Sequence, residues 1–289
     1  MGTETVMRLL NIDPPDDLVR KWARWLAPEF QPFIVTADQA AGWALTVGDE
    51  PTDLEVRGTF NIYQLAPEQR IVWLDEARFH ALPRPARAGL VRAQIAHDRD
   101  FVPSVRAWSH LFGAAVKEQA DGHRFVWWPS LVDAAPEIVL PSVLSDGLLP
   151  SRHAEVAAST WSKAATLLPR ARSLAGTYAD GAGPNCFGTV MAAAGVPGAD
   201  GVWMQREPFE EWLATRTRPG GRDDEVGTVL LWRSTGDGSV QHAAMTLGDG
   251  WAVNKSSQSW TDPRMVLSVH EVMRYSRTVG WRLTRHRLR

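Results

Sequence analysis

The chain has 289 residues, 44% hydrophobic and 22% charged, with a formal net charge of -2 and a single cysteine. That balance fits a globular protein long enough for two domains, and it excludes both an internal disulfide and a nucleic-acid surface built on net positive charge. No apolar run approaches the roughly 20 residues that span a bilayer, and the first thirty residues carry no signal-peptide core, so a cytoplasmic protein with no membrane partner is expected.

In chain order, residues 15–30 predict an amphipathic helix with Leu18, Trp22, Trp25 and Leu26 on one stripe. Residues 33–35, 43–47, 54–65 and 70–74 are short apolar runs between Asp, Gly and Pro turns, and predict a small antiparallel sheet. Residues 87–97 and 105–119 have helical spacing, while 125–128 and 138–140 read as further short strands. The Arg84, Arg87, Arg92, Arg99 and Arg106 set reads as a solvated helix face. Prolines at 136, 141 and 150 mark a change of composition, which places an N-terminal α+β domain at 1–150 and a second domain at 151–289. The N-terminal domain is expected to select substrate, with Trp127 and Trp128 as apolar surface.

The second domain is predicted to open with a helix over 154–168. Next comes TYADGAGPNCFGTVMAAAG, residues 177–195, where a Gly-rich turn precedes Asn185 as helix N-cap and Cys186 in the first helical turn. Backbone N–H groups and the positive end of the helix dipole there favour thiolate, so a thiol pKa below its free value of about 8.5 is expected. Residues 203–216 predict a helix, 220–227 a loop, 229–232 a buried strand, and 240–247 and 251–254 its antiparallel neighbours through tight turns. His242 and Asn254 then face each other on adjacent strands, a base and the amide that orients it, serving a cysteine nucleophile. Residues 266–275 read as a helix and 279–288 as a last strand. The remaining histidines are scattered with no ligand spacing, so no metal is expected, and no cofactor motif is visible.

Over about residues 174–257 these blocks resemble the NlpC/P60 family of papain-like cysteine peptidases and amidases. Tyr178, Gly181 and Gly183 precede Asn185-Cys186-Phe187-Gly188; His242, Gly248-Asp249-Gly250 and Asn254 follow in the family's order. The resemblance implies a papain-like C-terminal domain, a helix packed on an antiparallel sheet; with the smaller α/β N-terminal domain read from residues 1–150, the chain is expected to be α+β. It implies a cysteine hydrolase cleaving an amide, peptide or isopeptide bond of a small substrate through an acyl-thioester at Cys186. Catalysis falls to Cys186, His242 and Asn254, and oxyanion or substrate contacts to Tyr178, Asn185, Trp203 and Trp251, with Trp260 a further candidate for the cleft wall. Asn185 and Phe187 replace the family's Asp and Ser, groups that help recognise a free substrate amine.

Other readings stand beside this one. The same thiol machinery could transfer its acyl group to an amine, or the fold could be a binding module without turnover. An N-acetyltransferase-like N-terminal domain would fit the coarse element order, although HALPRPARAGL lacks the Gly-rich pyrophosphate loop.

Overall fold

Residues 7–289 are described by a computed structural model, and their contacts divide them into two units, Pro15–Asp146 and Gly147–Arg289, with residues 7–14 joining the second. The Ser151 N–H donates to the Leu10 carbonyl at 2.8 Å, which ties that leading segment to the C-terminal unit rather than to residues 15–146. Among the described residues no helix is long and apolar enough to cross a membrane. The chain is mixed α+β with antiparallel sheets.

The Pro15–Asp146 unit begins with α1 (Asp16–Leu26), which buries Leu18, Trp22 and Leu26. It continues through β1 (Phe30–Thr36), α2 (Ala37–Gly42), β2 (Val47–Gly48), α3 (Leu54–Thr59) and β3 (Gln69–Asp75). Six helices follow: α4 (Glu76–Ala81), α5 (Arg84–Ala96), α6 (Val105–Phe112), α7 (Ala114–Gln119), α8 (Pro129–Ala134) and α9 (Pro136–Leu144). The sheet order is β1-β3-β2. At its open β1 edge the Gln94 carboxamide, from α5, accepts from Ile34 N–H and donates to Ile34 C=O, both at 3.1 Å. A side chain thus closes an edge that would otherwise invite pairing.

Several expectations for this unit are corrected. Residues 54–65 are not a strand, because the Asp53 side chain caps the Val56 N–H and starts α3. Residues 37–42 form a helix closed by a Thr36/Gln39 capping box, which leaves only β2 from the expected 43–47 strand. Gly113, at φ +56°, breaks 105–119 into α6 and α7. Residues 138–140 lie in α9, and 125–128 form no strand. Trp127 and Trp128 are core residues, 1% and 0% exposed, with Trp127 edge-on to Trp108 at 4.7 Å. Arg99 is no solvated residue either: it lies buried over the Phe60 ring at 4.3 Å, donates to Gln31 Oε1 at 2.8 Å, and burial lowers its pKa to about 9.

The C-terminal unit comprises α10 (Ala158–Ala164), α11 (Ala171–Leu174), α12 (Cys186–Ala193), α13 (Arg206–Arg216), β4 (Thr217–Pro219), β5 (Val226–Ser234), β6 (Val240–Gly248), β7 (Trp251–Asn254), β8 (Met265–Ser268), α14 (Val269–Tyr275) and β9 (Trp281–Leu288). Its strands form one antiparallel sheet in the order β4-β9-β5-β6-β7-β8. Alternate residues enter two cores. Val229, Leu231, Ala243, Met245 and Val253 pack with α12, while Leu230, Trp232, Ala244, Ala252 and Leu267 pack with Val269 and Val272 of α14. Two-sided burial explains the near-continuous apolar strands. The expected 154–168 helix is shorter than its pattern suggested, and the first residues of the expected 266–275 helix belong to β8.

Candidate functional site

All eight residues of α12 are buried, so the helix is held by packing on β6 and β7 rather than by propensity. Asn185 starts it. The Asn185 Oδ1 accepts from the Gly188 N–H at 3.1 Å, and its Nδ2 donates to the Met204 carbonyl at 2.8 Å. Both carboxamide atoms are therefore engaged, and Asn185 builds the site rather than reaching for a ligand. Gly188 has a separate reason: a Cβ there would overlap the Ala199 carbonyl oxygen, so glycine is what lets the turn at 199–201 lie against α12.

The turn before Cys186 is fastened from behind. Gly183, at φ +108°, donates its N–H to the Gln258 carbonyl at 2.8 Å. The Arg264 guanidinium donates to the Tyr178 carbonyl at 3.2 Å and to the Asp200 carbonyl at 2.6 Å, while the Asp200 carboxylate takes both arms of Arg170 at 2.7 and 2.8 Å. These contacts set where the first turn of α12 begins.

His242 lies in β6 and Asn254 ends β7. The ladder pairs Met245 with Val253 and Thr246 with Ala252, so its continuation sets Asn254 diagonally across from His242, on the same face. His242 Nε2 meets Asn254 Oδ1 at 2.8 Å. A carbonyl oxygen only accepts, so with this amide orientation the proton sits on Nε2 and Nδ1 is left to take a proton from elsewhere. Trp232 packs at 5.1 Å from the imidazole and limits its movement.

Cys186 and His242 line one cavity of about 370 Å³ together with Asn185, Phe187, Trp203, Gln241, Ser256, Ser257, Gln258, Tyr275, Ser276, Thr278 and Trp281. Burial raises the Cys186 thiol to about 11, partly offset by the N–H groups of Ala243 and Phe187. Burial lowers the His242 imidazole to about 4, against a smaller raising effect of Asn254. The sequence predicted a depressed thiol. At 7% exposure, desolvation outweighs the helix terminus, and the resting pair at neutral pH is thiol and neutral imidazole.

Asn254 is not among the lining residues; it is 1% exposed, with its Oδ1 on the His242 imidazole. Of the other expected contacts, Trp203 lines the cavity and is 36% exposed. Trp251 does not: its offset from Asn254 on β7 is odd, so it faces the other way and carries the Arg152 guanidinium at 4.7 Å from its ring. Tyr178 is also outside the lining; it is buried, and desolvation followed by the Asp262 charge keeps its phenol protonated. Trp260 is 0% exposed and belongs to the core.

Sequence reasoning missed Gln241, Ser257, Gln258, Tyr275, Thr278 and Trp281. The first three are one to four residues from His242 or Asn254, a proximity that could have flagged them; the last three arrive by topology alone. It also missed Lys255. That side chain is fully buried, its ammonium donates to the carbonyls of Ser257, Ser259 and Asp262 at 2.8, 2.9 and 2.8 Å, and burial lowers it to about 8. It folds the 256–262 loop against the cavity. Among the described residues no group of three or more His, Cys, Asp or Glu could hold a metal ion.

Comparisons with protein-family models, with curated proteins and with solved structures each returned no match.

Proposed function

We propose that Gly147–Arg289 is a papain-like cysteine hydrolase of NlpC/P60 type that cleaves an amide, peptide or isopeptide bond. The observation that carries this reading is the sharing of one cavity by a helix-N-terminal thiol and an imidazole whose Nε2 is held by an amide oxygen 2.8 Å away.

Cys186 Sγ attacks the substrate carbonyl carbon as His242 Nδ1 takes the thiol proton, giving a tetrahedral oxyanion and an imidazolium. The imidazolium forms beside Asn254 Oδ1, which accepts from its Nε2–H and stabilises the charge. Backbone N–H groups in the first turn of α12 face the oxyanion. Collapse of that intermediate breaks the C–N bond, and the proton on Nδ1 leaves with the amine. A water molecule, deprotonated by His242, then attacks the thioester, releasing the carboxylic acid and restoring the thiol. Concerted transfer of this kind suits a resting neutral pair, because neither charge exists before the carbonyl is engaged.

The test is labelling of the native chain with iodoacetamide, followed by mass spectrometry. The expected result is selective alkylation of Cys186 that slows at least tenfold in His242→Ala, since a positioned general base contributes about 10²–10⁴-fold. Alkylation at the same rate in both chains would remove His242 from the mechanism, and with it this reading.

A further inference from the structure

The cavity at Cys186 mixes polar and aromatic side chains, yet among the described residues no Asp, Glu, Lys or Arg side chain lines it. Its polar side chains include the hydroxyls and carboxamides of Ser256, Ser257, Thr278, Gln241 and Gln258, and Trp203 and Trp281 line it as well. Three charged side chains of the same unit are engaged with other protein groups. Lys255 gives its ammonium to three loop carbonyls, Arg264 gives its guanidinium to Tyr178 and Asp200 carbonyls, and Arg233 is paired bidentately with Glu210 at 2.9 and 3.1 Å. None of these three is among the lining residues.

A charged group taken from water into such a site meets no partner, and desolvation of an unpaired ion outweighs what hydroxyls and carboxamides return. An ammonium is disfavoured further, because the imidazolium that forms at His242 during attack repels it. A neutral amide loses far less, since hydroxyls and carboxamides replace its hydrogen bonds to water and the indole rings cover its apolar part.

We infer that this site selects substrates with no formal charge beside the scissile bond: an N-acylated, internal or side-chain amide, rather than one next to a free amino or carboxyl terminus. The inference rests on the hydrolase reading above and names its substrate class.

The experiment compares chloromethyl ketones that alkylate Cys186, read as second-order labelling rates by mass spectrometry. At pH 6, N-acetyl-phenylalanyl chloromethyl ketone is expected to react at least tenfold faster than the free-amine compound. The ratio should fall toward one above the pKa of that amine, where the ammonium is lost. N-acetyl-asparaginyl chloromethyl ketone should likewise exceed its isosteric aspartyl counterpart. Thr278→Glu, a change at an exposed position of the lining, should narrow the amine ratio at pH 6 by supplying the missing counter-charge. Equal rates for charged and neutral probes, with labelling still dependent on His242, would overturn the substrate class while leaving the hydrolase intact. Labelling indifferent to His242 would overturn both.

Discussion

In the proposed mechanism Asn254 Oδ1 acts only through the imidazole, and its effect has a sign. The bond to Nε2–H favours imidazolium, so it opposes the desolvation that brings His242 down to about 4. In Asn254→Ala the acid limb of kcat/KM should therefore move to lower pH, while turnover falls by less than in His242→Ala, which removes the proton acceptor itself. A pH profile of both variants with one amide substrate checks this; an acid limb displaced upward in Asn254→Ala would mean that the amide does not stabilise the charged ring. The placement of Cys186, His242 and Asn254 on their elements was legible in the sequence because a helix start and two strands joined by a tight turn convert spacing into position. Tyr178 and Trp251 were not placed correctly. Proximity in sequence to Cys186 and Asn254 says nothing of which side a residue faces, and on β7 an odd offset from Asn254 is enough to turn Trp251 away.

At the level of the element, α12 is set by a pair of adjacent requirements, a capping amide at Asn185 and a missing Cβ at Gly188. Gly188→Ala should destabilise the C-terminal unit by about 1–3 kcal/mol despite the better helix propensity of alanine, because the methyl group meets backbone rather than a movable side chain. Chemical denaturation compared with Ala192→Gly, which also exchanges alanine and glycine within α12, measures it; an unchanged or raised midpoint in Gly188→Ala would refute the packing argument. The long apolar strands β5 and β6 were legible for the same reason that α12 was, since their patterns run for many residues. Shorter runs misled. Residues 138–140 carry too few positions for a period of two to be told from one of 3.6, and a proline opening α9 decided the outcome, while in the expected 54–65 strand the cap at Asp53 started a helix over its first half.

For the molecule as a whole, three histidines, His97, His242 and His286, have pKa values lowered first by burial. A lowered histidine binds its proton less readily when folded than when unfolded, so stability is complete above about pH 6.5 and falls as pH drops through that window. His242 alone, going from 6.5 to about 4, accounts for about 3 kcal/mol across that range. Urea unfolding at pH 7 and pH 4.5 should reveal the loss, and His242→Gln should show a smaller one; equal pH dependence in the two chains would contradict a buried neutral imidazole. The turn between β6 and β7 carries a further consequence. Asn254 points at the base and Lys255, its neighbour, points into the loop it holds, so the two tasks are separated only by the alternation of a strand. The length of the Gly248-Asp249-Gly250 turn therefore works like a reading frame. Insertion of a single residue would move Val253 into the place opposite the imidazole and leave the Asn254 carboxamide under the loop, whereas the turn at 235–239, upstream of His242, can change length without altering that frame. Among descendants of this chain, length variation should accumulate in the upstream hairpin and be purged from the downstream one.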